Sequence, residues 1–173
     1  MTGETTQMLT GDNLLNAVRE LRRTDGQRHP AFCVDLDGTL CNVTHRRQWV
    51  ASHPKNWDAW NAGIPNDTPN EPVLEAVNAL AEKFDIVLLS GRGSEYRQQT
   101  IDWLRANGVR YTSLYMRKEG DQRPDYEIKG ELADEVEEHF RIIGVFDDRQ
   151  SVVRMWQRRG LFVFDVSQGQ GNF

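Results

Sequence analysis

From residue 30 onward, short apolar runs alternate with segments of helical periodicity. Helix signals fall between the runs, including the cap residue Asn70 before Pro72, and Gly108 and Gly160 where helices should stop. This alternation is typical of a parallel sheet whose crossover helices cover both faces, so the sequence predicts an α/β fold. The predicted strands are AFCVDL (31–36), FDIVLLS (84–90), VRYTSLYM (109–116), RIIGVFDD (141–148) and LFVFDV (161–166).

The length of 173 residues suits one domain, which we assign to residues 30–173. Residues 1–29 are predicted to form a helical extension, because apolar residues follow the cap residue Asp12 at helical spacing. Residues 42–69 break the alternation and contain three tryptophans. We expect this segment to be a small cap insert over the active face of the sheet.

Bulk composition narrows the class of protein. The net charge of −5 argues against a protein that coats long stretches of nucleic acid, although contact with a single end or a nucleotide stays open. The apolar runs are too short to span a bilayer and the N-terminus lacks signal-peptide order, so we expect a cytoplasmic protein with no membrane partner. The two cysteines, Cys33 and Cys41, lack metal-site spacing and are expected to be reduced.

Two aspartates, Asp35 and Asp37, end the first apolar run with only Leu36 between them. Side chains two positions apart in an extended strand point the same way, so these carboxylates need a cation. Other strand ends are also polar and would meet at the same edge of the sheet, where ligands bind in such folds. They are Ser90-Gly91-Arg92, Met116-Arg117-Lys118 and Asp147-Asp148-Arg149.

This collection of carboxylates, a serine, arginines and the nearby Lys129 suits a hard cation and a phosphate. A carboxylate attacks a phosphate only when a divalent ion and positive side chains screen the repulsion between them. Each motif alone could be a turn or a helix cap, but their common place at successive strand ends favours a phosphate site.

The ordered set DLDGT (35–39), Ser90, Lys129 and the Asp147-Asp148 pair resembles the haloacid dehalogenase (HAD) superfamily of phosphotransferases. The resemblance covers residues 30–166 and implies a Rossmann-like HAD sheet. It implies that Asp35 attacks phosphorus, while Asp37 donates a proton to the leaving oxygen and then activates water. Ser90 would bind a phosphoryl oxygen and Lys129 would offset negative charge. The implied Mg²⁺ ligands are Asp35, Asp37, Asp147 and Asp148.

The acid role of Asp37 carries a further expectation. Asp37 must hold a proton when it acts as an acid, so we expect the crowded acidic site to raise its pKa.

The runs MRKEGDQRPDYEIK (116–129) and FDDRQSVVRMWQRRGL (146–161) more closely resemble the phosphatase domain of phage polynucleotide kinase/3′-phosphatases. Arginines suit such a site because a planar guanidinium binds phosphate oxygens in pairs. No G-x-x-x-x-G-K-[ST] loop is present, so we expect no kinase domain in this chain. The implied substrate-binding residues are Thr39, Arg46, Gly91, Arg92, Arg117, Asp125 and Arg149.

We therefore expect a Mg²⁺-dependent phosphatase that acts through an aspartyl-phosphate on the 3′-phosphate ends of DNA or RNA. Two alternatives stay open. One is a phosphatase for free nucleotides or small phosphate esters, and the other is a non-catalytic phospho-acceptor or nucleic-acid-end binding module. In the insert, Trp49, Trp57 and Trp60 either stack on a base or form a small core, and the core is favoured. Trp103 and Trp156 are expected in the main core.

Overall fold

The computed structural model describes residues 28–51 and 53–167. The predicted helix of the N-terminal extension lies outside these residues. Within them the chain forms seven strands: β1 (His29–Val34), β2 (Cys41–Asn42), β3 (Thr68–Pro69), β4 (Asp85–Gly93), β5 (Ser113–Arg117), β6 (Phe140–Asp147) and β7 (Val163–Asp165). The α-helices are α1 (Trp57–Ala62), α2 (Glu71–Leu80), α3 (Arg97–Ala106), α4 (Asp125–His139) and α5 (Gln150–Arg158).

A five-stranded sheet runs through the molecule in the order β5-β4-β1-β6-β7, and every neighbouring pair is parallel. The strand β1 is central, since Cys33 pairs with Val87 of β4 on one side and with Val145 of β6 on the other. The predicted α/β architecture is confirmed. Because all strands are parallel, their carboxyl ends lie along one edge of the sheet.

The two faces of the sheet carry separate hydrophobic cores, as the strand periodicity of two requires. Phe32 and Val34 of β1 pack with α2 and α3, where Trp103 is buried. Ala31 and Cys33 point to the opposite face and pack with α4 and α5, where Trp156 is buried. The core placement predicted for Trp103 and Trp156 is confirmed, and both cysteines are free and buried.

The helix boundaries follow the predicted signals with one difference. Gly108 and Gly160 lie just after α3 and α5 with φ of 64° and 76°, the left-handed conformation that glycine tolerates best. Asn70 is the cap residue of α2, but its side chain does not cap the helix. Instead its side-chain nitrogen donates to the carbonyl oxygen of Thr39 at 3.0 Å, which ties the end of the insert to the loop after β1.

The insert over residues 42–69 leaves and returns to the domain through the antiparallel pair β2 and β3, in which Cys41 pairs with Pro69. Between these strands lie the helix α1 and two 3₁₀ helices, Thr44–Trp49 and Ile64–Asn66. Among the described residues, no helix combines the length and apolar character needed to cross a bilayer.

Candidate active site

A cleft of about 600 Å³ opens at the carboxyl edge of the sheet, a volume in the range of small-molecule sites. Asp35 and Asp37 line it from the loop after β1, Arg92 from the end of β4, and Arg117 from the end of β5. The insert supplies another wall through α1 and the residues just before it. Several site residues named from the sequence line this cleft although they come from distant parts of the chain: Asp35, Asp37, Gly91, Arg92, Arg117, Asp125 and Arg149.

The buried ammonium group of Lys129 connects three carboxylates. Its Nζ lies 2.7 Å from Asp35 Oδ1, 2.8 Å from Asp147 Oδ2 and 3.6 Å from Asp125 Oδ2. Lys129 is only 1% exposed, so these contacts are poorly screened by solvent. Burial would lower the pKa of Lys129, but Asp147, Asp35 and Asp125 raise it well above the usual value, and the lysine stays charged.

Asp35, Asp147 and Asp148 form a group of carboxylates that fits a divalent cation. Each offers an oxygen within 4.8 Å of the others. Burial and the neighbouring negative charges raise the pKa of Asp35 and of Asp148, although Lys129 opposes the shift. Oxygen ligands with excess negative charge are what Mg²⁺ prefers, so the donor set fits the implied metal.

The turn after β1 brings its backbone against this group. Gly38 has a φ of 97°, and a Cβ at this position would overlap the Asp148 carboxylate. One residue later, Thr39 Oγ1 donates to Asp148 Oδ1 at 3.1 Å. The Gly-Thr pair of the motif therefore allows a close approach to Asp148 and then fixes the orientation of its side chain.

Asp37 belongs to a different cluster. Its Oδ1 accepts hydrogen bonds from Arg92 and from Arg46 Nη2, the latter at 2.6 Å. Burial alone would raise the pKa of Asp37, but the charges and hydrogen bonds of Arg92 and Arg46 hold it well below its usual range. The expectation of a raised pKa is wrong for this arrangement of side chains. The Asp37 carboxylate also lies with the two guanidinium groups rather than in the group of Asp35, Asp147 and Asp148.

Asp67 completes this cluster, although the sequence does not indicate that it belongs to the site. It is buried and accepts from Arg46 through both oxygens, at 2.7 Å from Nε and 2.6 Å from Nη2, and from Arg92 Nη2 at 2.9 Å. Its backbone oxygen accepts from Trp103 Nε1 at 2.7 Å. Two buried guanidinium groups are thus matched by two carboxylates, Asp37 and Asp67. In the sequence Asp67 lies in NDTP, which is typical of a turn.

Asp125 belongs to neither of these two clusters of charged side chains, and three cations surround it. Arg117 Nη2 is 3.3 Å and Arg149 Nη1 is 3.7 Å away, in addition to Lys129. Burial would raise the pKa of Asp125, but Lys129, Arg149 and Arg117 together lower it. A Cβ on Gly91 would overlap its carboxylate, so the glycine permits the close approach of β4.

The two arginines near Asp125, Arg117 and Arg149, differ in their contacts. Arg117 donates to the backbone oxygens of Gly91 at 2.8 Å, Asp121 at 3.1 Å and Arg123 at 2.7 Å, so it holds the loop before α4. Arg149 keeps 30% of its side chain exposed and lies at the cleft. Ser90 is fully buried within β4, and its Oγ accepts from the backbone nitrogen of Arg92 at 3.2 Å.

The tryptophans of the insert divide between core and surface. Trp60 is buried, and Arg46 Cζ lies 4.1 Å from its ring centroid. Trp57 and Trp49 are 51% and 43% exposed. Trp57 lines the cleft together with Trp60. The core interpretation is therefore correct for Trp60 and wrong for the other two.

Comparison with known proteins gives a family for this arrangement. Residues 29–173 match the family model described as the polynucleotide kinase PNKP phosphatase domain. A protein of Autographa californica nuclear polyhedrosis virus, which carries the provisional name of a bifunctional polynucleotide kinase/RNA ligase, is 32% identical over 137 residues. That match covers 76% of this chain and 18% of the viral protein.

Solved structures agree with the fold. A chain in a solved structure of the Pnkp1/Rnl/Hen1 RNA repair complex is 28% identical to this one with a TM-score of 0.69, and the match covers 94% of this chain and 46% of that one. The class C acid phosphatase from Bacillus anthracis shares the fold at a TM-score of 0.54 and 15% identity, over 89% of this chain and 73% of that one. The present chain thus spans less than half the length of the viral protein and of the chain from the repair complex. It belongs to the polynucleotide kinase PNKP phosphatase domain family, a family of HAD-type phosphomonoester hydrolases.

Proposed function

We propose that this protein is a Mg²⁺-dependent phosphatase that removes the 3′-phosphate from DNA or RNA ends. The observation that carries the proposal is the grouping of Asp35 with Asp147 and Asp148. Asp35 also lines a cleft to which the insert contributes Lys55, Trp57 and Trp60. The family match and the RNA repair complex among the structural relatives support a nucleic-acid end as the substrate.

In the proposed reaction the Asp35 carboxylate attacks phosphorus, and the bond between phosphorus and the 3′ oxygen breaks. Asp37 gives a proton to the departing oxygen. Asp37 then takes a proton from a water molecule that attacks the aspartyl-phosphate, which releases inorganic phosphate and restores Asp35. Bound Mg²⁺, held by Asp35, Asp147 and Asp148, would supply positive charge against the phosphate oxygens.

The surrounding residues position the carboxylates of Asp35 and Asp37 and set their charge. Lys129 holds Asp35 through a 2.7 Å contact and offsets the charge of the three acids around it. The low pKa of Asp37 in this arrangement opposes its acid role, but a phosphate dianion in the cleft adds negative charge beside it. Negative charge raises the pKa of a carboxyl group, so we infer that Asp37 gains its proton when substrate binds.

The phosphate itself would be bound by Ser90 and by the guanidinium of Arg149, which is exposed to the cleft. Arg117 would act largely by holding Asp125 and the loop before α4, because most of its N–H groups already donate to backbone oxygens. We place the reaction in the cytoplasm, an assignment supported by the two free thiols.

A substrate panel tests the proposal. The purified protein is incubated with Mg²⁺ and 3′-phosphorylated DNA and RNA oligonucleotides, their 5′-phosphorylated counterparts, 3′- and 5′-mononucleotides, and glycerol phosphate. We expect Mg²⁺-dependent phosphate release with the highest kcat/KM on the 3′-phosphorylated oligonucleotides. A higher kcat/KM on mononucleotides or glycerol phosphate would overturn the proposal in favour of a small-molecule phosphatase.

A further inference from the structure

We propose that Trp57 is the stacking wall of a nucleobase subsite, which binds the base of the nucleotide that carries the phosphate. The inference rests on the proposed function, since it concerns how the same cleft binds a nucleic-acid end. It specifies a substrate with a base next to the phosphate and assigns a binding role to the insert.

The placement of Trp57 is the first support. Trp57 is the first residue of α1 and lines the same cleft as Asp35. Its side chain is 51% exposed, although its neighbour Trp60 on the same short helix is buried. The start of the helix is fixed, because the Asn56 side chain accepts from the backbone nitrogen of Ala59 at 3.0 Å. A large aromatic side chain is therefore held in an open position at the cleft.

A line of packed groups joins Trp57 to the reacting carboxylates. The rings of Trp57 and Trp60 meet edge to face, with centroids 6.4 Å apart and an interplanar angle of 85°. Trp60 packs on the guanidinium of Arg46, which in turn binds Asp37 at 2.6 Å. Trp60 and Arg46 are buried, so this line of contacts gives Trp57 a defined position relative to the site of phosphoryl transfer.

Positive charge accompanies the exposed ring. Lys55 Nζ lies 5.4 Å from the Trp57 ring centroid, and Lys118 lines the same cleft from the end of β5. Aromatic faces combined with nearby cations are the usual means of binding single-stranded nucleic acid, because every base has a face that can stack. Stacking does not depend on the hydrogen-bonding groups of the base, so we expect similar affinity for ends that carry any of the four bases.

The test measures binding in an Asp35→Asn background, so that no turnover occurs. The ligands are a 3′-phosphorylated oligonucleotide and the same strand whose terminal phosphate is carried by an abasic sugar, each with a fluorescent label at the 5′ end. Dissociation constants are measured by fluorescence anisotropy for the parent and for Trp57→Ala, Trp57→Phe and Trp49→Ala. Trp49 is the matched control, because it is an exposed tryptophan of the same insert and is not among the residues that line the cleft.

We expect Trp57→Ala to weaken binding of the base-bearing end about 5- to 150-fold, the range that loss of one aromatic stack produces. Binding of the abasic end should change less than about 2-fold, Trp57→Phe should retain most of the affinity, and Trp49→Ala should leave both ends unaffected. Equal effects of Trp57→Ala on the two ends, or no effect on the base-bearing end, would overturn the subsite. Failure of the parent to bind either 3′-phosphorylated end would instead contradict the proposed function.

Discussion

Arg92 donates through both Nε and Nη2 to a single oxygen of Asp37, Oδ1, at 2.9 and 2.5 Å. The pair joins the end of β4 to the loop after β1 across a sequence separation of 55 residues. Together with Arg46, Arg92 holds the pKa of the Asp37 carboxyl well below its usual range. Asp37, the acid of the proposed mechanism, is therefore an ionised carboxylate in this arrangement.

Asp37 should therefore affect the pH dependence of stability. Its pKa in the folded protein lies below the unfolded value of about 3.9, so its contribution is complete above about pH 5. The contribution is lost as the pH falls from about 4 toward the folded pKa. We predict that the free energy of unfolding of the wild type, minus that of Asp37→Asn, is constant between about pH 5 and 7 and narrows below about pH 4. Urea unfolding in EDTA measures this difference, and a gap that widens in acid would contradict the prediction.

Asp67 should be a positioning residue for the same cluster. Asp67→Ala leaves the buried guanidinium groups of Arg46 and Arg92 with only Asp37 to balance them. Removing one partner of a buried ion pair costs about 3–5 kcal/mol, and we expect a loss of that size in the free energy of unfolding. Asp58→Ala is the control, because Asp58 is an exposed carboxylate of the same insert and should change stability by less than about 0.5 kcal/mol. Similar stabilities for the two variants would show that Asp67 does not maintain the cluster.

Gly38→Ala should damage the metal site more than its backbone strain alone explains. Gly38 and Gly108 both have positive φ, so alanine at either position costs about 1–2 kcal/mol. At Gly38 the added Cβ would also displace the Asp148 carboxylate, whereas Gly108 faces open space. A ligand that binds the folded state raises the melting temperature. We therefore predict that Mg²⁺ raises the Tm of the wild type and of Gly108→Ala but not that of Gly38→Ala, and an equal rise in all three would refute this.

Lys129→Met should lower the stability of the protein, because the buried carboxylates around the lysine would then repel one another. Without the ammonium group, Asp35, Asp125 and Asp147 lose the cation that contacts all three. We expect a loss of about 3–5 kcal/mol in the free energy of unfolding in EDTA, of which Mg²⁺ restores a part. Lys118→Met, an exposed lysine at the same cleft, should be nearly neutral. A loss for Lys129→Met that matches the control would mean that the three acids need no lysine between them.

The sheet and the strand-end residues could be predicted because both depend on local pattern. The apolar pattern predicts the positions of β1, β4 and β6 in the sequence. Parallel strands end at the same edge of the sheet, whatever path the connecting segments take. The positions of Asp35, Ser90 and Asp147 follow from that rule alone.

The guanidinium cluster could not be predicted in the same way. Asp67 is 21 residues from Arg46 and 25 from Arg92, and nothing in their spacing indicates that they meet. The pKa of Asp37 depends on that meeting, so the expectation drawn from the acidic neighbours alone has the wrong direction. The sequence also could not separate the buried Trp60, on which Arg46 packs, from the exposed Trp57.

The measurement that tests the central claim most directly compares phosphate release by the wild type and by Asp35→Asn, with Mg²⁺ and a 3′-phosphorylated oligonucleotide. The carboxamide keeps the shape of the side chain and lacks the nucleophilic oxygen charge, so we predict a loss of at least about 10³-fold in kcat. The variant should remain folded, because Asp147 and Asp125 still contact Lys129 when Asp35 is replaced. A folded Asp35→Asn protein that turns over within about 10-fold of the wild type would contradict Asp35 as the nucleophile.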